Sequence, residues 1–232
     1  MDSHSVFREY KNILLDFEDL LSSSFRRPNR EPFVPVAPVI NLDRESQLKS
    51  LEEQVRQCKR CRLSEGRTQA VPGMGVLSPL VMVVGEGPGA EEDKQGLPFV
   101  GPAGQFLDKW LDAIGLSRNK NVYIANIVKC RPPGNRDPHP DEAAACLPYL
   151  YRQVELLGPK VLFALGRIAI QHLLQTQKGI GELRGKVHQW NRIPLIATYH
   201  PSAVLRDPSL KRPVWEDLKQ LKALLTELEV SK

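Results

Sequence analysis

Leu80-Val81-Met82-Val83-Val84-Gly85-Glu86-Gly87-Pro88-Gly89 joins five consecutive apolar residues to a turn of glycines and a proline around one carboxylate. A short apolar run bounded by turn formers reads as a strand buried on both faces. Three further runs have the same character, at residues 122–128, 161–165 and 195–198. Helical patterns separate and follow them at residues 103–114, 141–157, 166–174 and 214–228. Strands alternating with helices predict an α/β fold of three layers, α/β/α, around a central, mainly parallel four-stranded sheet. Ligands of such sheets bind at the carboxyl ends of the strands. Three of the four predicted strand ends carry unusual polar residues: Gly85 to Gly89, Asn126 to Cys130, and Tyr199-His200-Pro201-Ser202. Polar residues converging on one sheet edge are the first functional signal.

Of the 232 residues, 41% are hydrophobic and 25% charged, a globular balance that excludes wholesale disorder. The formal charge of +5 is unevenly spread. Residues 1–25 hold two basic and five acidic side chains, a net −3, which leaves +8 on the rest. A basic body favours an anionic partner such as nucleic acid. Within residues 1–25, Val6, Tyr10, Ile13, Leu14, Phe17, Leu20 and Leu21 fall at helical spacing. Pro28, Pro32, Pro35 and Pro38 follow in an extended stretch. The expected organisation is an amphipathic helix at 1–25, a proline-rich linker at 26–43 and a body at 44–232, with the helix either docked on the body or free to bind a protein partner. No run of about 18 apolar residues predicts a membrane span. No basic-then-apolar opening marks a secretory leader, so a reducing, cytoplasmic setting is expected.

The four cysteines, Cys58, Cys61, Cys130 and Cys146, are too few for a disulfide scaffold in a chain this long. Their pattern is C-x2-C-x68-C-x15-C. Four thiolates suit either a zinc ion or an iron–sulfur cluster. The wide second spacing favours a cluster that collects ligands from separate elements over the paired knuckles of a zinc ribbon. A thioredoxin-like redox pair belongs just after an early strand, and none precedes Cys58.

Gly85 to Ala90 formally matches GxGxxA, the loop that cradles a dinucleotide pyrophosphate. That reading wants an acidic residue ending a strand about 20 residues on, whereas Asp108 falls in a predicted helix. The carboxylate of Glu86 also repels phosphate. The alternative is a sharp loop that aims Glu86 into a crevice while glycines let a substrate approach. Phe99 sits in a stretch punctuated by Pro98 and Gly101, where it either fills the core or offers a stacking face to a flat ligand.

The segments Gly85-Glu86-Gly87-Pro88-Gly89 and Gln95-Gly96-Leu97-Pro98-Phe99-Val100-Gly101 together resemble the first motif of the family 4 uracil-DNA glycosylases. Asn126 to Arg136 resembles their next block, and His200-Pro201-Ser202-Ala203 their second catalytic motif. Cys58, Cys61, Cys130 and Cys146 fall where that family keeps the ligands of a [4Fe–4S] cluster. The resemblance covers about residues 45–225 and is silent on residues 1–43. It implies a monofunctional enzyme that hydrolyses the N-glycosidic bond of deoxyuridine in DNA and initiates base excision repair. It implies a prokaryotic, nucleoid-associated setting, and we expect a monomer. The implied catalytic set is Glu86, Asn126 and His200, with Gly87, Glu92, Phe99, Asn135 and Ser202 also at the base. Phe99 is expected to stack on the uracil, and Asn126 to bond its O4 and N3 edge. His200 is expected to donate to O2, Glu86 to orient water, and Glu92 to crowd C5 and exclude thymine. Arg131, Arg136, Arg206, Lys211 and Arg212 are candidate phosphate contacts, and Leu205 is a candidate wedge for the gap left by the flipped base.

Two departures from relatives sharp enough to matter follow from the same loop. Family 1 enzymes carry Gly-Gln-Asp-Pro-Tyr-His there, so Glu86 stands at their Gln and Gly87 at their Asp. The related enzyme that traps DNA covalently has an inserted basic loop and Gln at the position of Gly87, and neither occurs here, so turnover is expected. Competing readings are an iron–sulfur DNA-binding or replication-associated protein with little glycosylase activity, and a nucleotide-binding enzyme.

Overall fold

The structure, a computed structural model, describes residues 43–230. The predicted helix at 1–25 and nearly all of the linker lie outside the described residues. Among the described residues the chain runs α1 (Arg44–Arg56), α2 (Leu63–Gly66), β1 (Met74–Gly75), β2 (Val81–Gly85), α3 (Ala90–Gln95), α4 (Pro102–Ala113) and β3 (Val122–Asn126). It continues through α5 (Pro140–Leu157), β4 (Val161–Leu165), α6 (Gly166–Leu174), α7 (Ile180–Leu183), β5 (Val187–Trp190), β6 (Ile193–Thr198), α8 (Pro201–Arg206) and α9 (Lys211–Val230). Single 3₁₀ turns lie at Pro133–Asn135 and Pro208–Leu210.

The sheet order is β1-β3-β2-β4-β6-β5. The central four strands are parallel. Every residue of β2, β3 and β4 is buried, which is why those strands read as unbroken apolar runs. Alternate residues serve opposite layers. Met82, Val84, Ala125 and Leu162 pack with Leu51 and Val55 of α1, Leu150 and Leu157 of α5, and Ile170 of α6. Val81, Val83, Ile124 and Phe163 pack with Leu107 and Leu111 of α4 and Leu218 and Leu221 of α9. The three-layer arrangement is therefore as expected.

The sheet has six strands, not the expected four. Both additions are antiparallel edge strands, β1 on β3 and β5 on β6. Neither has a sequence signature of burial. β1 is two residues long, and β5 has no buried residue. The β5–β6 hairpin turns on Asn191 and Arg192, both at positive φ (46° and 68°). That is the backbone of a two-residue turn matched to the strand twist, written here without the usual glycine. β3 also ends at Asn126 rather than at residue 128. No helix among the described residues is long and apolar enough to cross a membrane.

From β2 the chain crosses to β3 on one side, and β4 lies on the other. The connection reverses at β2, and in open α/β sheets the crevice opens at such a switch point.

Candidate active site

A crevice of about 400 Å³ lies at that point, lined by Glu86, Phe99, Asn126, Arg167 and His200 among others. It falls in the usual size range of a small-ligand site. Each of these residues follows or ends a strand, or sits on the loop that joins β2 to α4.

The β2–β3 pairing carries on past the strand ends. Ile127 N–H donates to the Gly85 carbonyl at 2.9 Å and Val128 N–H to the Glu86 carbonyl at 3.0 Å. Glu86 therefore stands on a fixed backbone. Gly85 pairs in register with Asn126. A Cβ on Gly85 would meet Asn126 Oδ1 at 2.4 Å and Phe99 Cζ at 2.7 Å. The motif glycine is what lets the amide and the ring share one wall. Gly87 does the same against Val128, whose Cγ2 would lie 2.8 Å from an added Cβ.

Phe99 is buried with φ 54°, an unfavourable backbone for an aromatic residue. Its neighbours hold it there. Arg118 Nη1 and Nη2 donate to the Pro98 and Phe99 carbonyls at 3.0 and 2.9 Å, and Asp108 fixes the guanidinium at 2.8 Å. The Glu92 carboxylate accepts from the backbone N–H of Gly89 at 3.1 Å and of Val100 and Gly101 at 2.9 Å. Strain of this kind collects at functional sites when the surroundings over-determine it. The same bonds revise the role expected of Glu92. It lines the crevice, but both oxygens are taken by backbone amides, so it shapes the loop that carries Phe99 rather than reaching for the C5 edge of a base.

Asn126 is 1% exposed. Its Oδ1 is buried without a hydrogen-bond partner. Such an acceptor is costly to leave unmade, by about 1–3 kcal/mol, so one facing a crevice points to a ligand donor.

His200 caps α8. Its Nδ1 accepts from Ser202 N–H at 3.2 Å and lies 2.8 Å from Ser202 Oγ. An Nδ1 that accepts leaves the proton on Nε2. Burial, helped by the charge of Arg206, pushes the imidazole down to about 4, so the ring is neutral at pH 7. Its centroid is 5.6 Å from that of Phe99. Gly166, at φ 86°, permits the close approach, since a Cβ there would sit 3.0 Å from His200 Cβ. Behind the site, Thr198 Oγ1 donates to Asp217 at 2.6 Å and Arg184 holds the same carboxylate at 2.8 and 2.9 Å, which ties the end of β6 to α9.

Burial first, and then the negative charge of Asp137, push the Glu86 carboxyl up to about 7, against the opposing charge of Arg167. Arg167 is hydrogen-bonded to Asp137, and both line the crevice. The sequence does not single out either residue. The available signal was Gly166-Arg167 at the end of the third apolar run, the same place that Gly85-Glu86 holds after the first.

The remaining candidates fall at the rim. Asn135 is exposed, and its Oδ1 accepts from Arg131 Nε at 2.8 Å. Arg136 is not a free cation. It grips the fully buried Glu142 through both terminal nitrogens at 2.8 and 2.7 Å, and Arg62 joins the same carboxylate at 3.1 Å. Arg136's hydrogen bonds hold the Glu142 carboxyl down to about 2. Arg136 therefore fastens its loop to α5 instead of standing ready for phosphate. Arg206, Lys211 and Arg212 are exposed, and Leu205 is 49% exposed beside the crevice.

The four cysteines come together on the α1–α5 layer. All have free thiols. Cys58, Cys61, Cys130 and Cys146 line one small cavity with Arg60, Arg67, Lys129 and Tyr149. Arg67 Nη1 donates to Cys130 Sγ at 2.9 Å, Lys129 N–H to Cys146 Sγ at 3.2 Å, and Arg60 N–H to Cys58 Sγ at 3.5 Å. Cations and N–H donors aimed at sulfur fit an anionic thiolate centre. Among the described residues no three His, Cys, Asp or Glu side chains are close enough to hold one metal ion. Four thiols lining one cavity and met by N–H donors are a donor set that suits a multi-thiolate centre.

Residues 72–219 match the family model described as the Uracil DNA glycosylase superfamily. The chain is 44% identical over 179 residues to a type-4 uracil-DNA glycosylase of Pyrobaculum aerophilum, covering 74% of this chain and 91% of that one. It is 43% identical over 186 residues to a type-4 uracil-DNA glycosylase of Thermotoga maritima, covering 78% and 96%. A third, from Sulfurisphaera tokodaii, is 42% identical over 186 residues, covering 76% and 84%. The matched span contains the crevice and two of the four cysteines, and on this agreement of site and sequence the chain belongs to the uracil-DNA glycosylase superfamily, in its type-4 branch.

Proposed function

We propose that this chain is a uracil-DNA glycosylase whose crevice receives a uracil flipped out of DNA and hydrolyses its bond to deoxyribose. The observation that carries this reading is the buried, unpartnered Asn126 Oδ1 in one crevice with a strained Phe99 and a neutral His200. Uracil N3–H is a donor that meets this acceptor, while the Asn126 amide N–H₂ meets O4. Cytosine presents an acceptor at N3 and a donor at its 4-position, so it leaves both groups mispaired. Phe99 stacks on the base.

As the bond between N1 and C1′ breaks, its electron pair leaves with the base and negative charge grows on O2. His200 Nε2–H donates to that oxygen, with Nδ1 fixed by Ser202. A donor fixed where charge develops is worth ~10²–10³ in rate. The sugar gains oxocarbenium character. The Glu86 carboxylate orients a water toward C1′ and takes its proton while the water oxygen forms the new bond. The proton taken by Glu86 passes through solvent to the uracil anion, which regenerates the carboxylate and leaves free uracil and an abasic site, whose processing belongs to base excision repair.

The cysteine quartet fits a [4Fe–4S] cluster held by Cys58, Cys61, Cys130 and Cys146. When bound, it supplies a rigid cross-link between α1, the loop after β3 and α5, with no part in the hydrolysis. Four irons per chain in anaerobically purified protein is the expected content. A single tightly held zinc would contradict it.

Arg131, Arg206, Lys211 and Arg212 follow the DNA backbone, and Leu205 enters the gap in the base stack. A monomer is the expected state. The prokaryotic cytoplasm is the expected setting, and residues 1–25 are left for a protein partner. A duplex with one uracil, followed by alkali, tests the activity: strand scission at uracil is expected, and none at cytosine or thymine.

A further inference from the structure

The crevice and the cysteine cavity meet at one side chain that neither function uses. Lys129 is 1% exposed. Its Nζ donates to the backbone carbonyl of Asn126 at 2.9 Å and to Gln153 Oε1 at 2.7 Å. Gln153, fully buried on α5, donates in turn to the Pro72 carbonyl at 2.8 Å. It also approaches the Tyr123 hydroxyl at 3.5 Å, and that hydroxyl donates to Glu52 of α1 at 3.3 Å. The backbone of Lys129 is fixed as well. Its N–H donates to Cys146 Sγ at 3.2 Å, and its carbonyl accepts from Val71 N–H at 2.7 Å.

A lysine is rarely buried without a reason. An ammonium taken out of water needs partners for its protons, and here one of them is the peptide of the residue whose amide faces the crevice. Asn126 is the last residue of β3; beyond it β2 holds the chain through the N–H groups of Ile127 and Val128, while the Asn126 carbonyl is met by Lys129 Nζ. The geometry points to Lys129 as a positioning residue. It clamps the Asn126 carbonyl to Gln153 of α5 and thereby holds the Asn126 amide at the angle that reads the base. Catalytic geometry is sensitive on this scale, and a shift of about 1 Å costs on the order of 100-fold. The inference rests on the reading of Asn126 as the uracil contact.

The test uses the full chain with free uracil as the probe, and compares Lys129→Met, Gln153→Leu, Gln153→Glu and Asn126→Ala. Uracil affinity, kcat and KM on a single-uracil duplex, affinity for abasic-site DNA and iron per chain are measured for each. Lys129→Met is expected to lose uracil affinity and kcat/KM by about 10- to 100-fold, the range for one hydrogen bond to a charged group. Iron content and abasic-site affinity should stay native. Gln153→Leu should shift uracil affinity in the same direction, and Gln153→Glu, which keeps an acceptor for Nζ but loses the donor to the Pro72 carbonyl, should retain more of that affinity than Gln153→Leu does. Native uracil affinity in Lys129→Met overturns the inference, as does a loss that merely tracks lost iron. If Lys129→Met does not fold, the two Gln153 variants decide, and equal uracil affinity in both overturns it. Asn126→Ala separates the two levels: native uracil release there would sink the pocket reading itself, whatever Lys129 does.

Discussion

Glu86 sits in a conflict between charge and burial, and that conflict is measurable. With its carboxyl pushed up to about 7, kcat/KM should rise as pH climbs through 7 and level off above it, because the water-orienting form is the carboxylate. His200 is neutral throughout that window, so it adds no limb there. The same shift acts on stability with the opposite sign. A carboxyl whose folded pKa lies above its ordinary 4.5 holds its proton better in the folded chain. Folding is therefore favoured at low pH and loses that contribution between about 4.5 and about 7. Glu86→Gln should accordingly melt at a higher temperature than the native chain at pH 8 and at a similar temperature at pH 5, while its activity falls. An equal Tm difference at both pH values would show that Glu86 carries no such penalty. Gly85→Ala is the steric counterpart. Its new Cβ would lie 2.4 Å from Asn126 Oδ1 and 2.7 Å from the Phe99 ring. We expect kcat/KM to fall about 100-fold, and native kinetics would show that the wall can yield.

Which residues were legible follows from how each announces itself. Glu86, Phe99, Asn126 and His200 stand beside glycines, prolines or strand ends, where chemistry interrupts pattern. Lys129 does not. Next to Cys130 and Arg131 it looks like one more surface cation, and only its burial reveals it. Arg136 misleads in the reverse sense. It belongs to a loop of basic residues, but its charge is spent on Glu142, a partner six positions away that no periodicity connects to it.

At the scale of elements, the four parallel strands were legible because burial on both faces leaves no room for polar residues. The edge strands were not, since β5 alternates exposed with half-buried residues and β1 is only a two-residue pairing. The short helices α3 and α8 were also unread, each six residues long, too short to show a helical period. They matter because their starts hold Glu92 and His200. The end of β6 is anchored through Thr198 and Arg184 to Asp217, which is fully buried. Removing that carboxylate strands a buried hydroxyl and a half-enclosed guanidinium. Asp217→Ala should cost about 3 kcal/mol in urea unfolding and loosen His200 with it. A cost under about 0.5 kcal/mol, the level of an ordinary surface change, would mean that α9 needs no such tie.

Across the whole molecule, the formal +5 divides into +8 on residues 26–232 and −3 on the acidic first 25 residues. The body's charge is not spread as solubilising decoration alone. Arg206 lines the crevice, and Lys211 and Arg212 follow on the same exposed stretch. If these meet phosphates, each Arg or Lys→Gln change should reduce the slope of log affinity against log salt by about 0.9 on duplex DNA, with kcat nearly unchanged. Unaltered slopes would assign them to the surface at large. The four cysteines, with 68 residues between Cys61 and Cys130, and the crevice motifs are brought near each other by the sheet topology, which places the loop after β3 between them. The claim on which the rest depends is that this convergence forms a uracil-reading site. It is tested most directly by incubating the full chain with a duplex carrying one uracil and quantifying released uracil, for the native protein and for His200→Ala. Release by the native chain is expected, with a rate ~10²–10³ lower in the variant. No uracil released by the native chain, or equal rates in the two proteins, would contradict it.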